Sequence, residues 1–208
     1  MNTSTTPHFH HVFVPGEDGR TLLLLHGTGG NEQSLVTLGA ELAPGAALLS
    51  PRGQVLEHGL PRFFRRLAEG VFDEEDLVRR THELADFVAA SAQQYALDPA
   101  KIYALGYSNG SNIAGALLLL RPGVLAGAAL LRPMVPLVPD TLPDLQKAPV
   151  LLMSGHHDPI VPVENARRLA QLLSDSGATV TMRLENAGHE LSEYTVDTTR
   201  RWLADLPA

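Results

Sequence analysis

The 208-residue chain contains no cysteine, which removes several kinds of chemistry at the outset. Disulfide bonds, thiolate catalysis and cysteine-bound metals all require a cysteine sulfur, so none of them is available. Basic residues are also few: 16 lysines and arginines stand against 23 aspartates and glutamates, which gives a formal net charge of −7. This acidic balance argues against a nucleic-acid partner and against binding to an acidic membrane surface.

The chain also lacks long apolar runs. The two longest, around residues 113–120 and 123–131, are separated by Arg121 and Pro122. Each is far shorter than the ~20 residues that a membrane-spanning helix needs. The first residues have neither a basic nor an apolar stretch, so we expect no secretory signal, no membrane insertion and a cytoplasmic protein.

What the chain does contain is a regular alternation of strand-like and helix-like segments. The predicted strands lie at 12–14, 22–25, 46–49, 101–105, 126–131, 149–153 and 179–184, and the predicted helices at 33–42, 73–95, 111–120, 163–174 and 191–203. This order predicts an α/β fold, with a mostly parallel sheet and helices on both of its faces.

The domain organisation follows from length and from the connections. A chain of 208 residues without an internal repeat or linker suits one domain, 1–208. We expect residues 1–10 to be a flexible N-terminus. The longest connection, 50–70, has too few residues for a helical cap, so we expect no substantial lid.

One pentapeptide, Gly106-Tyr107-Ser108-Asn109-Gly110, has the strongest functional signal. It fits G-x-S-x-G, and it lies between a predicted strand and a predicted helix. That arrangement is typical of the nucleophile elbow, a sharp turn that exposes a serine hydroxyl, whereas the five letters alone would indicate only a glycine-rich turn. We therefore predict that Ser108 is a catalytic nucleophile.

A serine hydroxyl is a weak nucleophile unless a base accepts its proton and a third group orients that base. In α/β hydrolases the acid follows the serine along the chain and the histidine comes last. Asp158 follows the run 149–153 and His189 follows the run 179–184. Both therefore leave a strand at its carboxyl end, where open parallel sheets keep their sites. We predict that Asp158 is the acid and His189 the base.

The other aspartates after Ser108 are weaker candidates for the acid. They are Asp140 and Asp144 in a proline-rich connection, and Asp175, Asp197 and Asp205 on predicted helix faces. Glu190 adjoins His189, and we interpret it as the residue that opens the following helix.

A glycine-rich loop, His26-Gly27-Thr28-Gly29-Gly30, follows the predicted strand at 22–25. A loop of this kind contributes one backbone N–H to an oxyanion hole, and the residue after the nucleophile contributes the other. The sequence therefore predicts that the amides of Thr28 and Asn109 form the oxyanion hole, with His26 bracing the loop. The alternative, a phosphate-binding loop, lacks its usual lysine and glycine spacing.

The loop 61–66 differs from the rest of the chain in combining aromatic and basic residues. We expect Phe63, Phe64 and Met134 to wall an acyl or aromatic pocket, and Arg62 or Arg66 to bind a substrate carboxylate. The simpler interpretation is that the phenylalanines anchor the loop while the arginines pair with surface acids.

Two groups of histidines resemble metal sites. His8, His10 and His11 lack supporting carboxylates or cysteines, and His156 and His157 adjoin an aspartate already assigned to the triad. We therefore predict no metal and no other cofactor.

Five ordered motifs resemble the phospholipase/carboxylesterase family of α/β hydrolases over about residues 20–205. They are His26-Gly27-Thr28-Gly29-Gly30, Ser50-Pro51-Arg52-Gly53, Gly106-Tyr107-Ser108-Asn109-Gly110, Asp158-Pro159-Ile160-Val161-Pro162 and Gly188-His189. The family includes small bacterial carboxylesterases and acyl-protein thioesterases. The resemblance implies a hydrolase of carboxylic esters or thioesters, often a homodimer. Because Asn109 stands where the thioesterases carry glutamine, and their acyl-channel segments are not evident, we do not expect protein depalmitoylation.

Together, these observations predict a serine carboxylesterase that hydrolyses small to medium carboxylic esters through an acyl-enzyme intermediate. Its expected partner is a small-molecule ester. Thioester or lysophospholipid hydrolysis would use the same residues and is an alternative. A catalytically silent binding protein is less favoured, because a binder has no need of Ser108, Asp158 and His189 together.

Overall fold

A seven-stranded sheet runs through the computed structural model, which describes residues 9–207. In chain order the strands of the described residues are β1 (His11–Val14), β2 (Thr21–Leu25), β3 (Ala47–Pro51), β4 (Val55–Glu57), β5 (Leu60–Arg62), β6 (Arg66–Ala68), β7 (Val71–Phe72), β8 (Ile102–Tyr107), β9 (Gly127–Leu131), β10 (Pro149–Gly155) and β11 (Thr179–Glu185). Four of them, β4 to β7, lie outside this sheet. The order across the sheet is β1-β3-β2-β8-β9-β10-β11. Only β1 runs antiparallel to its neighbour within this sheet. The predicted α/β fold class is confirmed.

Helices cover both faces of the sheet. They are α1 (Val36–Leu42), α2 (Glu74–Gln94), α3 (Asn109–Leu120), α4 (Val163–Asp175) and α5 (Glu193–Ala204), with a short 3-10 helix at Pro99–Lys101. Side chains alternate along β2, so Leu22 and Leu24 belong to the core on the face of α1 and α5, whereas Leu23 and Leu25 belong to the core on the face of α2, α3 and α4. Both faces of the sheet are therefore buried, which explains why its strands read as nearly continuous apolar runs.

Some element boundaries differ from the sequence-based prediction because of capping. The last helix begins at Glu193, where the side chain of Ser192 accepts a hydrogen bond from the amide of Thr195. Glu190 therefore does not open this helix; its carboxylate accepts a hydrogen bond from the amide of Gly188. At the other end of the chain, residues 1–8 of the predicted flexible terminus lie outside the described part. Phe9, in contrast, is buried against Phe87, with ring centroids 4.9 Å apart.

The connection between β3 and α2 is more regular than the predicted loop. It contains two antiparallel hairpins, β4–β5 and β6–β7, and no helix. At its end Asp73 caps α2, because its side chain accepts a hydrogen bond from the amide of Asp76. The acidic start of α2 is favoured by the helix dipole. The site region is thus bordered by hairpins rather than by a helical lid.

The turn between β8 and α3 has a strained backbone. Ser108 adopts φ 51° and ψ −115°, a region that residues with a side chain rarely occupy. A Cβ at Gly106 would lie 2.6 Å from the carbonyl oxygen of Gly110, and a Cβ at Gly110 would lie 1.9 Å from that of Leu25. Both glycines are therefore required so that α3 can approach β8 and β2 this closely.

We predict that Gly110→Ala destabilises the protein by at least about 2–3 kcal/mol, because the new methyl overlaps backbone atoms that cannot move aside. The control is Gly115→Ala in the same helix, where a Cβ meets only the ring of Pro136 at 3.5 Å. That change should be neutral or should stabilise by about 0.5–1 kcal/mol. Urea unfolding of both variants measures the difference. Equal stabilities would contradict the account of the turn.

His26, directly after β2, connects the glycine-rich loop to the turn after β3. Its Nε2 accepts a hydrogen bond from the amide of Gly53 at 2.9 Å, and its Nδ1 donates to the carbonyl of Gly27 at 2.7 Å. An amide can only donate, so Nε2 carries no proton and the ring is neutral. Burial is the main cause that lowers the pKa of His26. The predicted bracing role agrees with these contacts.

This lowered pKa makes stability depend on pH. Below pH ~6.5 the unfolded chain protonates His26 while the folded protein does not, so the free energy of unfolding falls as pH drops towards the folded-state pKa. This histidine alone should contribute a slope of up to about 1.4 kcal/mol per pH unit. His26→Gln removes the titrating group while an amide oxygen can still accept a hydrogen bond from Gly53. When the pH is lowered from 7.5 to 5.5, the free energy of unfolding measured with urea should fall less for the variant than for the unmodified protein. Equal decreases would contradict this prediction.

Candidate active site

The three predicted triad side chains meet at the carboxyl edge of the sheet. Ser108 follows β8, Asp158 follows β10 and His189 follows β11. The Nε2 atom of His189 lies 2.9 Å from Oγ of Ser108, and its Nδ1 lies 2.8 Å from Oδ2 of Asp158. The three groups thus form one continuous chain of hydrogen bonds.

Asp158 is fixed by the backbone of its own turn. Its Oδ1 accepts hydrogen bonds from the amides of Ile160 and Val161 at 2.8 and 2.9 Å, which leaves Oδ2 for His189. The Asp158 side chain is only 1% exposed, whereas that of His189 is 16% exposed. The carboxylate can therefore orient the imidazole, while the imidazole still reaches the cavity.

Arg132, at the end of β9, holds the turn that contains His189. Its side chain is completely buried, donating from Nε to the carbonyl of Gly188 at 3.0 Å and from Nη2 to the carbonyl of Glu190 at 2.7 Å. It also forms an ion pair with Glu185 at the end of β11. Burial alone would raise the pKa of Glu185, but hydrogen bonds from two hydroxyls at the start of α5, one of them on its capping residue, and from Arg132 lower it.

The sequence analysis did not predict that Arg132 and Glu185 hold the turn of His189. Both are charged residues at the ends of predicted strands, but nothing in the local sequence pattern connects them. Tyr107 adds a second contact that was not predicted, because its hydroxyl donates to the carbonyl of His189 at 3.1 Å. Burial raises the pKa of this phenol, so the hydroxyl keeps its proton and remains a donor.

The two residues predicted for the oxyanion hole line the same cavity as Ser108. Both are braced by residues 61–63. The hydroxyl of Thr28 accepts a hydrogen bond from Nη1 of Arg62 at 2.7 Å, and the side-chain oxygen of Asn109 accepts one from the amide of Phe63, also at 2.7 Å. The amide of Gly29 donates to the carbonyl of Pro61 at 2.9 Å. One segment thus fixes both sides of the predicted oxyanion hole.

The expectation that Phe63 and Phe64 wall the pocket is corrected by their burial. They are 2% and 0% exposed, and neither contributes to the cavity wall. Phe63 packs against the ring of His26 at 4.7 Å, and Phe64 packs edge-on against Phe72 at 5.0 Å. Burying both rings anchors the segment that braces Thr28 and Asn109, whereas Phe72 does line the cavity.

The cavity beside Ser108 has a volume of about 380 Å³. Met134 lines it, as predicted, and so do Arg62 and Arg66, for which binding of a substrate carboxylate stays a prediction. The other residues that line it are Thr28, Glu69, Gly70, Phe72, Tyr107, Ser108, Asn109, Asn112, Arg132, Ile160, Val161 and His189. A hollow of about 420 Å³ lies away from this site, among residues 99–100, 122–126 and 144–148, and no serine, histidine or arginine lines it.

The remaining histidines lie apart from this chemistry. His157 contacts the side chain of Asn186, His11 contacts the hydroxyl of Tyr95, and His8 lies outside the described residues. Among residues 9–207, no three histidine, cysteine, aspartate or glutamate side chains are grouped so that they could bind a metal. Nor does any helix in that range have the length and apolar character to cross a membrane.

The chain is similar in sequence and in fold to known proteins. The protein MhqD of Bacillus subtilis (strain 168) is 46% identical over 192 residues, which cover 92% of this chain and 96% of MhqD. The structure of a Bacillus cereus carboxylesterase superposes with a TM-score of 0.92 at 45% identity, covering 97% of this chain and 95% of that one. A Mesorhizobium loti carboxylesterase gives a TM-score of 0.85 at 34% identity, covering 92% and 91%.

The characteristic sequence profile of one family, described as phospholipase/carboxylesterase, matches residues 14–206. This match covers nearly the whole chain, and it agrees with the resemblance inferred from the five motifs. The chain therefore belongs to the phospholipase/carboxylesterase family of α/β hydrolases.

Proposed function

We propose that the protein is a serine carboxylesterase that hydrolyses small to medium carboxylic esters, with Ser108, His189 and Asp158 as its catalytic triad. The observation that supports this most is the unbroken hydrogen-bond chain from Oγ of Ser108 through His189 to Asp158, with distances of 2.9 and 2.8 Å. Ser108 and His189 border a cavity of about 380 Å³, a volume near the lower end of the usual range for small-molecule sites.

In the first half of the proposed reaction, Oγ of Ser108 attacks the ester carbonyl while Nε2 of His189 accepts its proton. Asp158 accepts a hydrogen bond from Nδ1, which keeps the ring oriented and stabilises its cation. The tetrahedral intermediate collapses, His189 donates the proton to the leaving alcohol, and the acyl group stays on Ser108. Water, activated by His189, then attacks the acyl-enzyme and releases the acid.

The amides of Thr28 and Asn109 are the proposed donors to the oxyanion. Asn109 is the first residue of α3, and the first amides of a helix have no acceptor within the helix. Such a donor can serve the developing negative charge without breaking an existing helical bond, and one is worth roughly 3–4 kcal/mol in the transition state. The hydrogen bonds from Arg62 and Phe63 to the two side chains support a preorganised site.

Thioester and lysophospholipid hydrolysis would use the same residues and stay alternatives within this proposal. A cytoplasmic location and a homodimer are predictions as well. None of the proposed steps needs a cofactor, because the chain itself supplies the nucleophile, the base and the oxyanion donors.

Ser108→Ala should lower kcat/KM for p-nitrophenyl butyrate by at least about 10⁴-fold, because no other group can carry the acyl chain. A fluorophosphonate should label the unmodified protein once, at Ser108, as peptide mass spectrometry can determine. Ser174→Ala, on the exposed face of α4, is the matched control and should keep full activity. An active Ser108→Ala variant, or labelling elsewhere, would sink the assignment.

Asp158→Asn should reduce kcat by about 10³–10⁴-fold with little change in folding. The asparagine oxygen can still accept hydrogen bonds from Ile160 and Val161, but the side chain no longer carries the charge that stabilises protonated His189. Asp175→Asn, at the exposed end of α4, is the control and should be fully active. Steady-state kinetics would show that Asp158 is the wrong carboxylate if Asp158→Asn kept most of the activity.

The double variant Ser108→Ala, His189→Ala should lose little more activity than Ser108→Ala alone, because the triad acts as a unit.

A further inference from the structure

Three arginines line the cavity beside Ser108, but their charges are balanced differently. Arg132 forms a buried ion pair with Glu185, so that pair adds no net charge. Arg62, at the end of β5, and Arg66, at the start of β6, both contact one carboxylate, Glu57. Two guanidinium cations on the cavity wall therefore share one carboxylate, that of Glu57.

Arg62 is the fixed member of this group. Its side chain is only 3% exposed, and it donates to the hydroxyl of Thr28 and, from Nε, to the carbonyl of Phe64. Nε also lies 3.3 Å from the Glu57 carboxylate. Burial, and then the positive charge of Arg66, lowers the pKa of Arg62. These contacts anchor Arg62 in the wall rather than leaving it to move towards a ligand.

Arg66 is the accessible member. Its side chain is 32% exposed, and among residues 9–207 its hydrogen bonds run from Nε to the two oxygens of Glu57, at 2.9 and 3.1 Å. Glu57 thus holds the guanidinium by its Nε, while the edge formed by the two terminal nitrogens is left for another acceptor. That edge presents two parallel N–H donors, with which arginine can bind a carboxylate through two hydrogen bonds.

This group is positively charged in a chain whose net charge is −7. Two arginines and one glutamate leave one positive charge, which matches a single carboxylate better than a doubly charged phosphate monoester. Glu69 also lines the cavity, but it is exposed, so water screens its charge. Phe72, Met134 and Ile160 supply apolar wall for the uncharged part of a ligand.

We propose that Arg66, supported by Arg62 and Glu57, binds a carboxylate on the substrate, so that the preferred substrates are esters that also carry one free carboxylate. The inference rests on the proposed function, because the scissile carbonyl has to reach Ser108 in the same cavity. Hydrolysis of such an ester releases either a dicarboxylic acid and an alcohol, or a carboxylic acid and a hydroxy acid.

The test compares matched pairs of esters that differ in one charge. The first pair is 4-acetoxybenzoate and its neutral methyl ester, which places the carboxylate on the leaving group. The second is monoethyl adipate and ethyl hexanoate, which places it on the acyl group. We expect kcat/KM to favour the anionic member of at least one pair by roughly tenfold or more, and this preference should shrink as salt is added.

Two variants connect that preference to the site. Arg66→Gln should lower kcat/KM for the anionic ester by about tenfold more than for its neutral partner. The control is Arg65→Gln, whose side chain is 61% exposed, pairs with Asp73 and does not line the cavity; it should leave the preference unchanged.

The outcomes separate this inference from the proposed function. If neutral esters are hydrolysed in a way that requires Ser108, but neither anionic ester is preferred, only the carboxylate site is wrong. It is also overturned if Arg66→Gln folds, as judged by its melting temperature, and keeps the full preference. If no ester of either pair is hydrolysed and Ser108 takes no fluorophosphonate, the proposed function itself fails.

Discussion

Ser108 has a backbone conformation, φ 51° and ψ −115°, that a residue with a side chain adopts only when its surroundings impose it. Here they do so from both sides. The amide of Ser108 donates to the carbonyl of Leu131 on β9, and Gly110 lies so close to Leu25 on β2 that no side chain would fit. The rest of the site depends on this turn, because it aims the hydroxyl at His189 and brings the first amides of α3 beside it.

Around this turn, buried polar contacts hold in place loops that would otherwise be less rigid. His26 ties the glycine-rich loop to the turn after β3, Arg62 and Phe63 brace Thr28 and Asn109, and Arg132 holds the carbonyls on both sides of His189. Each contact joins segments far apart in the chain. Groups held in this way lose little freedom when a substrate binds, which is the condition for electrostatic catalysis.

The order of strands and helices could be predicted because both faces of the sheet are buried, so its strands are apolar runs and its helices amphipathic. Ser108, Asp158 and His189 could be brought together for the same reason, since each follows a strand at the edge where parallel strands end. The roles of Phe63 and Phe64 could not be predicted. An aromatic residue near a site has the same sequence signal whether it lines a cavity or anchors a loop, and only the hairpin packing decides between them.

The central claim is that Ser108 carries the acyl group of the substrate between two half-reactions. Rapid mixing with p-nitrophenyl acetate, followed by acid quenching and peptide mass spectrometry, tests this most directly. The account predicts a burst of p-nitrophenol approaching one equivalent per chain, together with a peptide containing Ser108 that is heavier by one acetyl group. Steady release of p-nitrophenol with no acetylated peptide, even at the shortest mixing times, or acetylation of a different residue, would contradict the account.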